Sequence, residues 1–182
     1  MNKDYPIVWI IIGVSGSGKT ELGRLLSKKL ECDFIEGDRR HPASNINKMS
    51  NNIPLDDNDR FTWLNELKSL IEDAIKNQRE LVLTCSALKF KYREFLNISP
   101  QVKFIWPQVN KNITGDRVES RQHFMPKTLL ASQISTFEEP LSSEPIIIID
   151  NSNELEITFE NLFNEIIKRY PELNKAWWQR NK

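Results

Sequence analysis

Gly13-Val14-Ser15-Gly16-Ser17-Gly18-Lys19-Thr20 lies between an unbroken apolar run, residues 7–12, and a stretch in which Leu22, Leu25, Leu26 and Leu30 recur at helical spacing. It matches G-x-x-x-x-G-K-[ST], and the flanking strand and helix are the context that pattern needs. Glycines let the backbone curl until successive N–H groups converge on an anion. The helix that follows presents the positive end of its dipole to the same point. In that frame Lys19 reaches the β- and γ-phosphates of a nucleoside triphosphate, and the Thr20 hydroxyl is placed to ligate Mg²⁺. All eight residues are expected to line an ATP site.

Outward from this loop, further apolar runs rich in Ile, Val or Phe occur at 34–35, 81–84, 102–106 and 146–149. They read as strands buried on both faces. Amphipathic stripes separate them, one on Leu64, Leu67, Leu70 or Ile71, and Ala74 or Ile75, another on Phe159, Leu162, Phe163, Ile166, Ile167 and Tyr170. Alternating strand and helix predicts an α/β fold of three layers, α/β/α, around a five-stranded parallel sheet. Ligands of such sheets bind beyond the carboxyl ends of the strands, so the segments after each strand are the site candidates. Residues 117–140 carry few strand signals and read as a helical excursion, with a lid expected over about 111–140. The tail 171–182 holds Trp177 and Trp178, expected to dock on the domain or between subunits.

The chain has 182 residues, which fits a single domain over 1–182. Its 25 basic and 25 acidic residues cancel, so bulk charge favours neither nucleic acid nor an anionic membrane as partner. The first apolar run is too short to span a bilayer and no small-residue cleavage site follows it. Cys32 and Cys85, far apart, make neither a disulfide framework nor a metal-ligand pattern. A reducing, cytoplasmic setting is the expectation.

A nucleotide switch would carry D-x-x-G and N-K-x-D; neither occurs, and a motor or transporter ATPase needs a longer chain. A small-molecule kinase fits the size. It needs a carboxylate at the acceptor hydroxyl, cations on the transferring phosphoryl group and polar groups for the acceptor. Asp38, just past the second strand, is either that carboxylate or an Asx turn. Arg117 and Arg121, four apart, either clamp phosphates from one helix face or lie on a solvated face. Asp56, Asp57 and Asp59 read as helix-capping acids, whereas Arg60 gains nothing from a helix start and points to another task. His41 reads equally as an acceptor-binding donor or a satisfied loop residue.

Taken together, the segments resemble one family, the gluconokinases, relatives of shikimate kinase and the nucleoside monophosphate kinases. The resemblance is carried by the phosphate loop, by Gly37-Asp38-Arg39-Arg40-His41-Pro42-Ala43-Ser44-Asn45-Ile46-Asn47-Lys48-Met49 and by Pro54-Leu55-Asp56-Asp57-Asn58-Asp59-Arg60 with Trp63-Leu64. It continues through Cys85-Ser86-Ala87-Leu88-Lys89 with Tyr92-Arg93, His123-Phe124-Met125-Pro126, Leu129-Leu130, Ser132-Gln133 and Glu138-Glu139-Pro140. It covers most of residues 7–150 and implies transfer of the ATP γ-phosphate to the 6-hydroxyl of D-gluconate, commonly by a dimer. It further implies Lys19, Asp38, Arg117 and Arg121 as catalytic residues, and Asp38, His41, Lys48, Arg60 and Lys89 as acceptor-binding residues. The alternatives are a kinase of this fold acting on another sugar acid, a shikimate-like acceptor or a nucleotide, and an ATP-binding module without turnover.

The chain departs from the family pattern at four places. Asn52 stands where glycine is usual, so a left-handed Asn is expected there. Thr62 replaces a proline, Trp106-Pro107-Gln108-Val109 replaces Leu-x-Gly, and one residue is missing between Arg121 and His123.

Overall fold

The structure, a computed structural model, describes residues 6–109 and 127–174. Val8-Trp9-Ile10-Ile11-Ile12 is buried on both faces and forms β1 (Val8–Ile12), the middle strand of the sheet. Strand side chains alternate between faces, so Val8, Ile10 and Ile12 enter one core and Trp9 and Ile11 the other. Around it lie β2 (Asp33–Glu36), β3 (Leu81–Cys85), β4 (Val102–Gln108) and β5 (Ile146–Asp150), in the order β2-β3-β1-β4-β5. Every pairing is parallel. Ile12 lies opposite Cys85 and Glu36 opposite Thr84, so the carboxyl ends of β1, β2 and β3 finish level.

Helices α1 (Lys19–Leu30) and α6 (Leu155–Arg169) cover one face, through Leu22, Leu26, Leu162 and Ile166. Helices α3 (Asp57–Lys76) and α4 (Phe90–Leu96) cover the other, through Trp63, Leu67, Ile71 and Leu96. The three-layer α/β/α arrangement with five parallel strands is therefore as expected. Two shorter helices, α2 (Ala43–Ser50) and α5 (Lys127–Thr136), border the carboxyl edge.

Not every strand is buried on both faces. Those inside the sheet are, but β2 is only partly covered and Ile148 of β5 is 48% exposed, because both are edge strands. β4 continues through Pro107, where a loop was expected. Its pairing with β1 ends at Ile105 while that with β5 runs to Gln108, so Pro107 sits where only one neighbour needs backbone donors. Asn52 adopts φ 59°, the left-handed conformation its position demands. Of the expected lid, α5 and the non-helical segment 137–140 are described, and residues 110–126 lie outside the described residues, as does the tail beyond 174.

The segment between α5 and β5 is latched to the far side of the sheet edge. Arg93 of α4, 1% exposed, donates from Nε and Nη2 to the two oxygens of Glu144 at 2.6 and 2.8 Å. Its Nη1 donates to the Glu138 carbonyl at 3.0 Å. Glu138 itself takes the Phe90 N–H on its carboxylate at 2.6 Å, and its own N–H meets the Leu88 carbonyl at 2.8 Å. A bidentate pair with the third guanidinium nitrogen also bonded is the form in which a buried charge is tolerated, and removing one partner strands the other. Arg93→Ala is expected to lower unfolding free energy by about 3–5 kcal/mol in urea denaturation; a loss below about 1 kcal/mol would show the pair to be a surface contact in energetic terms.

Candidate active site

After β1 the chain turns through Gly13, Gly16 and Gly18 at φ 135°, 77° and 84°. Gly18 immediately precedes α1 in a left-handed conformation, and no side chain caps the helix. The first-turn N–H groups are thus left without a capping side chain, the arrangement an anion uses. Ser17 Oγ is buried without a hydrogen-bond partner among the described residues. Lys19 is 7% exposed and donates from Nζ to the Val14 carbonyl at 2.9 Å. Burial holds the Lys19 ammonium below its ordinary pKa, and the Asp38 carboxylate opposes that shift. An orphaned hydroxyl, uncapped N–H groups and a desolvated cation fit a triphosphate. The oxygen donor at Thr20 fits Mg²⁺, which takes oxygen ligands and shares them with substrate phosphates.

Two contacts hold the loop to the sheet. The Gly13 N–H donates to the Ser86 carbonyl at 3.3 Å, and buried Asn151, just after β5, donates from Nδ2 to the Ser17 carbonyl at 2.7 Å. Ser86 also donates its N–H to Asp38 Oδ1 at 3.0 Å. Asp38 arrives there because β2 runs straight into a 3₁₀ turn, Gly37–Arg40, pressed against β3. A Cβ on Gly37 would stand 2.6 Å from the Thr84 carbonyl oxygen, so only glycine fits. Ala87, next to Ser86, holds φ 34°, a strained value for a residue with a side chain, and such strain gathers at functional sites.

Asp38 and Ser86 lie on one side of an open cleft of about 480 Å³; His41, Arg60, Ser132 and Gln133 line it too, with Met49, Pro54, Leu55 and Leu88 as its apolar wall. His41 stacks on Trp63, centroids 4.3 Å apart, and the Trp63 indole N–H donates to the Gly37 carbonyl at 2.8 Å. Asn45 Nδ2 approaches His41 Nδ1 at 3.3 Å and the Asp59 carbonyl at 2.7 Å. With that amide donating to Nδ1, the imidazole proton sits on Nε2. Arg60 lies 6.0 Å over the Tyr92 ring. Among the described residues no carboxylate pairs with Arg60 within 4.0 Å, so its charge is available to the cleft.

Lys48 and Lys89 do not line the cleft. Lys48 binds Asp59 at 2.6 Å, and that hydrogen bond raises its pKa. Lys89 binds Asp57 at 2.8 Å, and Asp57 also accepts from Lys91 and the Tyr92 hydroxyl. These three donors hold the Asp57 carboxyl below the usual carboxylate range. Asp57 is therefore a junction between α3 and α4, while Asp56 and Asp59 form the capping box expected at this helix start. Arg117 and Arg121 lie outside the described residues. The sequence assigned Asn45, Trp63 and Gln133 no site role, although all three stand in the blocks that carried the resemblance; Ser86 and Asn151 fell in the segments after the third and fifth strands, which were site candidates, without a role of their own.

The sequence profile of the shikimate kinase family matches residues 15–171. The gluconokinase of Gluconobacter oxydans (strain 621H) is 38% identical over 159 residues, covering 86% of this chain and 89% of that protein. The thermosensitive gluconokinase of Escherichia coli (strain K12) is 41% identical over 150 residues, covering 81% and 80%. The chain belongs to the gluconokinase family. The crystal structure of a gluconokinase from Sinorhizobium meliloti 1021 superposes with a TM-score of 0.74 at 32% identity, covering 88% of this chain and 98% of that one. This gluconokinase-family chain is thus a nucleotide-using kinase of a small molecule, with its phosphate loop and cleft at the expected sheet edge. Among the described residues no helix is long and apolar enough to cross a membrane.

Burial moves the His41 pKa from 6.5 down to about 4; Asp38 opposes the shift and Arg60 adds to it. The ring is neutral in the folded protein at neutral pH. Between pH 6.5 and about 4 the unfolded chain binds a proton that the folded chain refuses, so stability falls as pH falls through that window. In His41→Gln this contribution is expected to vanish, flattening the pH dependence of the melting temperature between pH 6.5 and 4.5; an unchanged slope would place His41 in contact with solvent.

Proposed function

We propose that this chain transfers the γ-phosphoryl group of ATP to the 6-hydroxyl of D-gluconate, giving 6-phosphogluconate. The observation that carries the reading is the bond pair at Ser86, which sets Asp38 beside the first residue of the phosphate loop. The cleft that begins there also holds Arg60 and a neutral His41. A polyhydroxy acid needs a carboxylate at its reacting hydroxyl, a cation for its own carboxylate and neutral donors between them.

In this reading Ser86 occupies Asp38 Oδ1 and leaves the other oxygen to orient the acceptor hydroxyl and take its proton as the P–O bond forms. Lys19 meets the negative charge on the transferring phosphoryl group, and Arg60 binds the acceptor carboxylate. His41 Nε2–H donates to an acceptor hydroxyl. Thr20 would hold Mg²⁺, which would supply charge neutralisation at the phosphates. Arg117 and Arg121 are proposed to clamp the phosphates from the lid. Lys48 and Lys89 act at one remove, by fixing Asp59 and Asp57 at the start of α3. The reading also includes one kinase domain over 1–182, a homodimer, and a cytoplasmic location.

An ATP-coupled assay against gluconate, other sugar acids, shikimate and nucleotides tests it. Gluconate is expected to be the best acceptor; no turnover at millimolar gluconate would overturn the reading. Lys19→Ala is expected to abolish turnover. Asp38→Asn is expected to lower kcat by about 10²–10⁴-fold with ATP affinity retained; an unchanged rate would remove Asp38 from the chemistry.

A further inference from the structure

The peptide unit between Val14 and Ser15 is held at both of its polar ends. Its carbonyl, that of Val14, accepts from Lys19 Nζ at 2.9 Å. Its N–H, that of Ser15, donates to Gln133 Oε1 at 2.7 Å. In a trans peptide the C=O and N–H point in opposite directions, so fixing one fixes the other. Gln133 sits on α5, 118 positions further along the chain from Ser15. It also lines the cleft with Asp38, Ser86 and Arg60. The end of α5 is anchored in turn, since the Phe137 N–H bonds the Gln133 carbonyl at 2.9 Å and the Glu138 N–H bonds the Leu88 carbonyl at 2.8 Å. The grip on the loop thus comes from a braced element.

We propose that Gln133 is a positioning residue for Lys19: by holding the Ser15 N–H it turns the Val14 carbonyl toward the ammonium and fixes where that ammonium stands. An ammonium has three donors. One rests on Val14, and the others are then aimed at phosphate from a defined place. The Ser17 N–H also donates to the Val14 carbonyl, at 3.3 Å; without Gln133 that longer bond is left as the loop's own restraint on the peptide unit, and the seat of the Lys19 ammonium is less closely defined. Only the glutamine oxygen matters in this scheme, and a carboxylate supplies the same acceptor.

That requirement separates the role from a packing role or a direct contact of the amide N–H₂ with substrate. The inference rests on the phosphoryl-transfer reading for its kinetic arm alone; its second arm is independent of turnover. Gln133→Met, of similar length and without an acceptor oxygen, is expected to lose about 10²-fold in kcat, the order a misplacement of about 1 Å produces, with the gluconate KM and melting temperature little changed. Gln133→Glu is expected to restore kcat toward wild type. In hydrogen exchange followed by NMR, the Ser15 amide is expected to be protected in wild type and Gln133→Glu and at least tenfold faster to exchange in Gln133→Met. Equal loss of kcat in both variants, a wild-type rate in Gln133→Met, or a Ser15 amide indifferent to residue 133 would each overturn the proposal. Should wild type fail to phosphorylate gluconate, the functional reading falls while the exchange measurement still decides the role of Gln133.

Discussion

The Ser86 backbone accepts from Gly13 N–H at 3.3 Å and donates to Asp38 Oδ1 at 3.0 Å. One residue at the end of β3 therefore fixes the distance between the phosphate loop after β1 and the acidic turn after β2. This works because β3 lies between β1 and β2 in the sheet, so its end is the only one adjacent to both. Strand order thus sets the geometry of the edge: the phosphate loop and the Asp38 turn are brought together by the parallel register and not by any long side chain. Gly37 and Ala87 record what the arrangement demands. The first tolerates no Cβ and the second accepts a backbone conformation that disfavours one.

Around that centre the charges fall into two groups. Asp57 and Asp59 are saturated by lysines and a tyrosine at the start of α3, and Glu144 by Arg93. These carboxylates tie elements together. Asp38, Arg60 and Lys19 keep capacity toward the cleft and the loop. Lys48 and Lys89 of the long motifs stand with the first group in this structure, paired with Asp59 and Asp57.

The loop, the parallel sheet and the position of Asp38 were legible because each depends on local pattern: glycine spacing, β-branched runs, and a turn directly after a strand. Asp38 remained ambiguous until β3 supplied its partner 48 positions away. The aspartate partners of Lys48 and Lys89 were not legible, since a lysine beside acids reads alike whether it faces a ligand or an aspartate across a helix junction. The contacts of Gln133 and Asn151 were not legible for a related reason, although Asn151 stood in the segment after the fifth strand, a site candidate. Their partners are backbone groups of the loop, 118 and 134 positions distant, and a backbone carbonyl or N–H leaves no trace in residue type. Pro107 misled in the other direction, because a proline interrupts a strand only where a neighbouring strand needs the N–H it lacks.

Asn151 grips the phosphate loop at Ser17 from the β5 side, Ser86 grips it at Gly13 from the β3 side, and Gln133 grips it at Ser15. A glycine-rich segment free in solution would have many shapes to lose on meeting a nucleotide. Here the restriction is imposed when the sheet assembles, so the conformational entropy is surrendered in folding and not in binding. The same tethering means that the nucleotide has little disorder to quench. Any loosening of β5 or α5 would therefore register first as weaker nucleotide affinity, well before the sheet itself came apart.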